Sequence, residues 1–538
     1  MEQLWKTTSL CPECLGTIGA EVYEEGGKAY IRKVCKEHGE FKDLYWGDAK
    51  LLLSQKKFAH DGRGLENPDI KDEDPECPRS CGLCSMHKSH TALSNIAVTT
   101  RCDLRCWYCF FYSERLGYVY EPTVEQVSAM ARQLRGQKPV PCNAVQLTGG
   151  EPTLRPDLIE IIKAIKAEGI GHLQLNTNGI NYSQKLQLAR DLRDAGVNTL
   201  YLSFDGVRPK TNPKNHWEVP GVLENARKTG TGIVLVPTVI KGVNDHEVGD
   251  IVRFGFENND VVRGVNLQPV SLVGRMPREE REKHRITIPD VIRLLEEQTN
   301  GEVRKEDFYT VPSAYSVTNF VEALTKKAEY DLSPHFACGM GTYIFNSGGR
   351  MVGLPSFVDI DGLFGFINQQ AEALRAGKSK YIVGLKLLAK LGSFIDKKKA
   401  PKGFSLSKLI FNALVKHDYR ALGEFHKKSL FVGLMHFQDL YNYDIERVKR
   451  CVIHYSMSDG RVVPFCAFNV IPEWYRDKSQ KAQGTDLGQW EQETGKSLQA
   501  DIYRRDNKAL EATGLYKNTY KNFPVPAKVE NPALPVLQ

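Results

Sequence analysis

The chain has 538 residues, a formal net charge of +7 and thirteen cysteines. Its hydrophobic content of 41% excludes a disordered protein, and its length is sufficient for two to four domains. No apolar run reaches the ~18 residues of a membrane-spanning helix, and Met1–Leu10 lacks a signal-peptide core. Most cysteines occur in C-x2-C-type spacings, which favours metal binding in a reducing cytoplasm over disulfide formation.

Two cysteine knuckles come first, Cys11-Pro-Glu-Cys14 and Cys35-Lys-Glu-His38. Their spacing is typical of a ribbon-like site for one metal ion with tetrahedral Cys3His coordination, and it does not distinguish zinc from iron. The alternating residues between them predict a β-hairpin that turns at Gly26-Gly27. We expect residues 1–60 to form this domain. His38 is either a ligand or an ordinary loop histidine.

A second cysteine group lies in residues 61–94 and has C-x3-C-x2-C spacing. No strand precedes it and no glycine-rich motif follows it, so an auxiliary iron–sulfur cluster is the preferred interpretation and a second zinc site the alternative. Its cysteines are Cys77, Cys81 and Cys84. The candidates for a fourth ligand are His87, His90 and Cys338.

The most informative segment is Cys102-Asp-Leu-Arg-Cys106-Trp-Tyr-Cys109, which directly follows a predicted strand at residues 95–100. Three thiolates on one short loop can bind three irons of a 4Fe–4S cluster and leave the fourth iron open to S-adenosylmethionine (SAM). The loop resembles the signature of the radical SAM superfamily, with a structural zinc site as the alternative. The resemblance implies that these three cysteines are the catalytic metal ligands.

A glycine-rich motif supports this interpretation. The strand-like run Ala144–Thr148 ends in Gly149-Gly150-Glu151-Pro152, which matches the GGEP motif of the superfamily. Two glycines let the backbone approach a ligand closely, and Glu151 can accept a hydrogen bond from the amino group of SAM. We therefore expect Gly149, Gly150 and Glu151 to bind this cofactor.

Strands and helices alternate from residue 158 to about residue 270, which predicts a parallel sheet with its ligand sites at the carboxyl ends of the strands. Predicted strands are at residues 172–176, 199–204, 232–236 and 264–269. The resemblance implies the partial (βα)6 barrel of the superfamily over residues 95–300. Asn178, Ser203 and Asp205 follow strand ends and are candidate contacts to SAM, with turn-forming residues as the alternative.

The extension at residues 301–538 contains three further cysteines that can hold a second auxiliary cluster. Cys451 and Cys466 flank a predicted hairpin turn at residues 457–461, and Cys338 is the third member. Cys142, just before a barrel strand, is interpreted as a buried thiol. The overall prediction is an α/β protein with a rubredoxin- or zinc-ribbon-like domain, a partial barrel and an α+β extension that carries auxiliary iron–sulfur sites.

The segment at residues 375–428 is strongly basic, with fourteen Lys or Arg against three acids. Apolar residues interleave with these charges on two predicted helices, separated by Lys397-Lys398-Lys399-Ala400-Pro401. Such a segment favours contact with an anionic membrane surface. Nucleic-acid binding and a solvated surface over a core are the alternatives.

Several longer runs resemble one archaeal subfamily, the tetraether lipid synthases. They are Cys81-Gly-Leu-Cys84 with the histidines after it, Cys106–Tyr112, Gly117–Pro122, Pro141–Pro152 and Gly460–Asn469. Close relatives also carry the name of 7,8-dihydro-6-hydroxymethylpterin methyltransferases. The resemblance implies one mononuclear iron and three 4Fe–4S clusters, which need more ligands than thirteen cysteines supply. Either histidine or another group supplies the missing ligands, or one of these centres is absent.

The resemblance implies that a 5′-deoxyadenosyl radical removes hydrogen from the terminal methyl groups of archaeal diether phospholipids, which then couple into tetraether or macrocyclic lipids. The expected partners are the phospholipid, the membrane surface and an electron donor such as a ferredoxin. The expected location is the cytoplasm, with peripheral contact to the membrane. The alternatives are a pterin C-methyltransferase, an RNA-modifying radical enzyme and a simple electron carrier.

Overall fold

The computed structural model describes residues 2–524, except residues 71–72, 112–114, 275–277, 403, 405–424 and 426–427. An antiparallel sheet of four strands in sequential order forms the N-terminal part. The predicted hairpin turn at Gly26-Gly27 is confirmed, since both glycines adopt positive φ between the second and third strands. These strands are β1 (Glu2–Leu10), β2 (Thr17–Glu25), β3 (Lys28–Cys35) and β4 (Gly39–Trp46), followed by helix α1 (Ala49–Lys56).

A parallel sheet forms the centre of the molecule, and the six barrel strands that the sequence predicts are all present. Each pairs in parallel with the next. They are β5 (Leu93–Thr99), β7 (Ala144–Gly149), β8 (His172–Thr177), β9 (Thr199–Ser203), β10 (Gly232–Val236) and β12 (Val262–Pro269). Two short strands accompany them, β6 (Tyr118–Val119) and β11 (Thr238–Val239).

Helices follow these strands and cover the outside of the sheet. On the third helix Leu158, Ile161, Ile162 and Ile165 are buried, as their helical spacing predicts. Two helices follow β8, and they are separated at Lys185. The helices are α2 (Val124–Arg135), α3 (Leu158–Ala167), α4 (Ile180–Gln184), α5 (Leu186–Ala195), α6 (Val219–Thr229), α7 (Val248–Glu257), α8 (Arg281–His284) and α9 (Ile288–Gln298).

The C-terminal extension adds a strand to each edge of the parallel sheet. Strand β16 (Ser429–Met435) pairs in parallel with β12, and β17 (Ile453–Ser456) pairs in parallel with β5. The remaining strands are β13 (Tyr309–Thr310), β14 (Gly339–Ser347), β15 (Arg350–Gly353), β18 (Val462–Pro464) and β19 (Thr485–Asp486). Strands β17 and β18 are antiparallel around residues 457–461, so the predicted hairpin turn is confirmed.

Further helices in the extension surround these strands. They are α10 (Tyr315–Thr325), α11 (Ile360–Arg375), α12 (Lys380–Lys390), α13 (Ile445–Lys449), α14 (Phe465–Val470), α15 (Arg476–Gln483), α16 (Leu487–Thr494), α17 (Asn507–Ala512) and α18 (Gly514–Thr519). None of the helices in the described part of the chain has the length and apolar character needed to span a bilayer.

Buried charges fix the N-terminal sheet against the extension. Arg285 is buried and binds two carboxylates, Asp43 on β4 at 3.1 Å and Asp439 after β16. Lys33 on β3 is also buried and donates to the Leu440 carbonyl at 2.6 Å. Because a buried charge is costly when it loses its partner, these contacts hold the N-terminal sheet in one orientation.

Candidate active site

The loop Cys102–Cys109 lies at the carboxyl end of β5 and forms one wall of a cavity of about 240 Å³. All three of its cysteines line this cavity. Gly149, Gly150, Glu151, Asn178 and Ser203 line it too, so the structure brings most of the predicted cofactor-binding residues together. Asp205 lines an adjoining cavity of about 240 Å³, which Cys106 and Tyr108 also line.

The glycine pair allows a close backbone contact that the sequence did not predict, in addition to the expected approach to a ligand. A Cβ atom on Gly149 would lie 2.1 Å from the carbonyl oxygen of Thr99, and one on Gly150 would lie 1.9 Å from that of Arg101. The amide groups of Gly150 and Glu151 donate to these same carbonyls at 2.8 and 2.7 Å. The close approach that the glycines permit is therefore to the cysteine loop itself.

Glu151 is buried at the end of β7 and accepts hydrogen bonds through both carboxylate oxygens. Oε1 accepts from the hydroxyls of Thr153 at 2.6 Å and Thr177 at 2.8 Å, and Oε2 accepts from the amide of Asn178 at 2.8 Å. Burial raises the pKa of Glu151, and these donors oppose the shift. The network fixes the carboxylate in one orientation at the cavity wall.

Sequence reasoning overlooked two acidic contacts of the loop. Asp103 accepts from Asn178 at 2.6 Å, and burial together with the nearby Glu151 raises its pKa to about 7. Asp205 accepts from the Tyr108 hydroxyl and from Lys214 Nζ at 2.6 Å. Asp205 therefore positions two side chains at the loop. A single lysine such as Lys214 in a turn-rich segment carries no sequence signal.

The protonation of the loop cysteines indicates what the site must bind. Burial raises the pKa of Cys106 to about 12, opposed by the charge of Lys214, and burial raises the pKa of Cys102 well above its ordinary value. Thiols in such surroundings stay neutral unless a bound cation stabilises the thiolates. The donor set therefore fits an iron–sulfur cluster held by Cys102, Cys106 and Cys109.

A segment near the C-terminus covers the outside of the loop, which sequence reasoning also missed. Asp501 accepts two hydrogen bonds from the buried Arg101 at 2.8 and 2.9 Å. The amide of Tyr503 donates to the Asp103 carbonyl at 3.0 Å, and Gln499 accepts from Arg105 at 2.5 Å. These contacts join residues about 400 positions apart in the chain, and no local pattern could reveal them.

The N-terminal sheet carries a compact site for one metal ion. The ligand atoms of Cys11, Cys14, Cys35 and His38 all lie within 4.8 Å of one another. Nδ1 of His38 lies 3.5 Å from the Cys35 sulfur and 3.7 Å from the Cys11 sulfur, and its contact lowers the pKa of Cys35 to about 6. Ligands of a tetrahedral zinc ion lie about 3.5–3.8 Å apart. The four side chains therefore fit the predicted Cys3His site.

The second cysteine group surrounds a much smaller cavity of about 10 Å³. Cys77, Cys81 and Cys84 line it together with His87. The Tyr475 hydroxyl holds this loop, since it accepts from the Cys81 amide at 3.1 Å and donates to the Arg79 carbonyl at 2.7 Å.

The third group, Cys338, Cys451 and Cys466, also comes together. Burial raises the pKa of Cys451, and the nearby Cys466 and Cys338 add to this shift. The buried Arg447 donates to the Cys338 sulfur at 3.4 Å and to the His436 carbonyl at 2.6 Å. A buried guanidinium beside thiols favours an anionic centre at this position, because neutral thiols leave its charge uncompensated. Cys142 is fully buried, away from these groups.

Two family models match the chain. Residues 96–255 match the radical SAM superfamily, and residues 4–47 match the HMPTM N-terminal zinc ribbon domain. Over 499 residues the chain is 44% identical to the 7,8-dihydro-6-hydroxymethylpterin dimethyltransferase of Methanocaldococcus jannaschii, covering 90% of this chain and 96% of that protein. The chain belongs to this radical SAM family. The predicted superfamily and fold class are thereby confirmed, as are SAM and a 4Fe–4S cluster as cofactors.

Other similar proteins match a smaller part of the chain. The GTP 3′,8-cyclase of Marinobacter nauticus is 30% identical over 35% of this chain and 55% of its own length. Among solved structures, methylornithine synthase is similar at 18% identity and a TM-score of 0.30, over 38% of this chain and 63% of that one. The assignments of individual site residues within this radical SAM enzyme remain predictions.

Proposed function

We propose that this radical SAM enzyme joins the saturated ends of isoprenoid chains in archaeal diether phospholipids, to form tetraether or macrocyclic lipids. The observation that carries the proposal is an exposed apolar face on α12. Tyr381, Leu385 and Leu388 are 75%, 69% and 43% exposed at helical spacing, and Ile382 beside them is 53% exposed. Large exposed apolar patches mark interaction sites.

The charges on α12 indicate the nature of the surface that covers this face. Every charged residue of the helix is a lysine, namely Lys380, Lys386 and Lys390. The opposite face, with Val383 and Leu387, is buried in the extension. An apolar stripe beside lysines suits the interface of an anionic membrane. The second predicted helix of the basic segment falls on residues 405–424, outside the described residues.

The large cavity supports the same substrate. Its lining includes the polar Glu151 and Asn178, and it also includes aromatic side chains that can exclude water from an apolar chain. These side chains are Phe110, Phe111, Phe437, Tyr455 and Phe465. A saturated methyl group has neither an acidic proton nor a leaving group. The bound cluster and SAM would supply a 5′-deoxyadenosyl radical that can remove hydrogen from it.

Pterin methylation is the second candidate, because the 44% identical relative is named a pterin dimethyltransferase. Carboxamide side chains line the same cavity and could bind the ring nitrogens and oxygens of a pterin. They are Asn95, Gln146, Asn176, Gln268 and Gln438. A pterin substrate gives the exposed face of α12 no role, so we place this function second.

Product analysis distinguishes the two functions. Anaerobically reconstituted enzyme is incubated with SAM, a reductant and either diether phospholipid or the dihydropterin, and the products are analysed by mass spectrometry. We expect a cross-linked lipid two hydrogens lighter per new bond, together with 5′-deoxyadenosine. A methylated pterin and no lipid product would overturn the proposal in favour of the second candidate.

The apolar face is tested by vesicle binding. Leu385→Asp should lower binding to vesicles that contain anionic lipid by about tenfold or more, because it places a charge in the apolar interface. Leu53→Asp on α1 is the matched control, since Leu53 is also an exposed leucine at 43%. Equal binding by the two variants would contradict a membrane role for α12.

A further inference from the structure

We propose that His87 is the fourth protein ligand of an iron–sulfur cluster held by Cys77, Cys81 and Cys84. All four residues line one cavity, which is separate from the large cavity beside Cys102–Cys109. The chain has too few cysteines for a fourth thiolate at every cluster that the sequence predicts. An imidazole nitrogen is an established substitute for cysteine at iron in iron–sulfur centres.

The lining of the small cavity leaves His87 as the suitable donor. Its other lining residues in the described part of the chain are Leu83, Met86, Val448, Lys449 and Pro464. Four of these five have no strong metal-binding atom. Lys449 is an ammonium group that binds Glu446 at 2.8 Å. The cavity therefore contains three thiols and one imidazole as donors for a metal.

Hydrogen bonding selects the nitrogen that would bind. Nε2 of His87 lies 2.8 Å from the carbonyl oxygen of Cys451. Nε2 of His454 lies 3.2 Å from the same nitrogen. The carbonyl is the closer partner and only accepts, so we assign the proton of His87 to Nε2 and the lone pair to Nδ1. Histidine ligands of metal sites commonly donate their second nitrogen in this way, which fixes the ring orientation and the tautomer. The contact with Cys451 thus prepares Nδ1 as the ligand atom.

The two other candidates for this position are engaged elsewhere. Nδ1 of His90 lies 3.5 Å from an Asp331 carboxylate oxygen, and its Nε2 accepts from the Asp331 amide at 3.4 Å. Cys338 contacts Arg447 and belongs to the third cysteine group. Neither residue lines the small cavity. The structure therefore separates three candidates that the sequence left equivalent.

Ligation by a neutral imidazole has a consequence for electron transfer. Replacing a thiolate by histidine removes negative charge from a cluster and raises its reduction potential. His87 also joins this site to the third cysteine group through the Cys451 carbonyl. The cluster at Cys77, Cys81 and Cys84 would therefore accept an electron more readily than an all-cysteine counterpart.

Pulsed EPR on the reduced, reconstituted full-length enzyme tests the ligand directly. Protein labelled with 15N-histidine should show a 15N hyperfine coupling on a cluster signal, and His87→Cys should lose this coupling while it keeps the iron content. The reduction potential of that cluster should be lower in His87→Cys than in the native enzyme. Absence of any coupling in the native enzyme, or the same coupling in His87→Cys, would overturn the proposal.

A second variant covers the case in which His87→Cys does not fold. His87→Ala should lose the coupling, and 15N-imidazole added during reconstitution should restore it, because the cavity then accommodates a free ring. His90→Ala is the matched control, since His90 is also buried in the same segment, and it should keep the native coupling. Loss of the coupling in His90→Ala with retention in His87→Ala would assign the ligand to His90 and refute our assignment.

Discussion

Two loops of this enzyme have the same C-x3-C-x2-C spacing and very different surroundings. The loop of Cys77, Cys81 and Cys84 surrounds a cavity of about 10 Å³ that is also lined by an imidazole. The loop of Cys102, Cys106 and Cys109 faces a cavity of about 240 Å³. Spacing thus fixes the number of thiolates, whereas the neighbouring side chains decide whether a cluster is closed by the protein or left open to a substrate.

The two loops also differ in what holds them. The first is held by the buried hydroxyl of Tyr475, which contacts the backbone of Arg79 and Cys81, and by the Asp69 amide, which donates to the Leu83 carbonyl at 3.2 Å. The second is held by the end of β7 on one side and by the segment around Asp501 on the other. A loop that must present an open metal site to SAM requires support from several elements, because small displacements change the geometry of the reacting groups.

The largest expected effect comes from removing one thiolate from each loop. Cys106→Ser should abolish 5′-deoxyadenosine formation from SAM, whereas Cys81→Ser should retain it and lose the coupled product. The reason is that only the Cys102–Cys109 loop faces the cavity with Glu151 and Asn178. Chromatography measures 5′-deoxyadenosine, and mass spectrometry measures the coupled product. Equal loss of SAM cleavage in the two variants would show that the loops do not have separate roles.

Replacing a glycine by alanine beside each loop should destabilise the protein by different amounts. Gly150→Ala places Cβ 1.9 Å from a backbone oxygen and should lower the free energy of unfolding by about 3 kcal/mol. Gly82→Ala meets a side chain, that of Ile70 at 2.6 Å, which can rotate away, so about 1 kcal/mol is expected. Denaturation of the reconstituted proteins measures both. A larger loss for Gly82→Ala would contradict the proposed support by β7.

The sequence predicted the barrel well because each strand and helix has a local pattern. The six barrel strands and the hairpin at residues 457–461 follow from alternation and turn residues that lie next to one another. Strand β16 was not predicted, and neither was the parallel pairing of β17 with β5. The apolar run Ser429–Met435 offered a signal for β16, but its parallel partner lies about 165 residues earlier.

The candidate site could be predicted only in part. Cysteine spacing and the GGEP motif located the loop and Glu151, and the structure places these residues around one cavity. Asp103 and Asp501 were not identified, because each contacts a distant segment. Lys214 binds the nearby Asp205, but a single lysine in a turn-rich segment has no recognisable pattern. The glycine pair has an additional contact that the sequence does not show, since the backbone of Thr99–Arg101 lies against it.

The contact between Tyr475 and the loop of Cys77, Cys81 and Cys84 can be weakened without changing the other loop. Tyr475→Phe leaves the buried Cys81 amide without its acceptor and should lower the free energy of unfolding by about 1–2 kcal/mol. SAM cleavage should be unchanged, because Tyr475 makes no contact with the Cys102–Cys109 loop in the hydrogen bonds described for it. Thermal denaturation and 5′-deoxyadenosine yield measure the two quantities. Reduced SAM cleavage would show that the loops are coupled.

The smallest expected effect comes from the segment around Asp501, which covers the Cys102–Cys109 loop. Asp501→Asn weakens the contact with Arg101, which keeps Glu121 at 3.2 Å as a partner, so stability should change by less than about 1 kcal/mol. The KM for SAM should nevertheless rise a few-fold, because Arg101 carries the carbonyl against which Gly150 is packed. Glu493→Gln, an exposed change in the same C-terminal region, is the control. An unchanged KM would show that β7, and not the segment around Asp501, supports the Cys102–Cys109 loop.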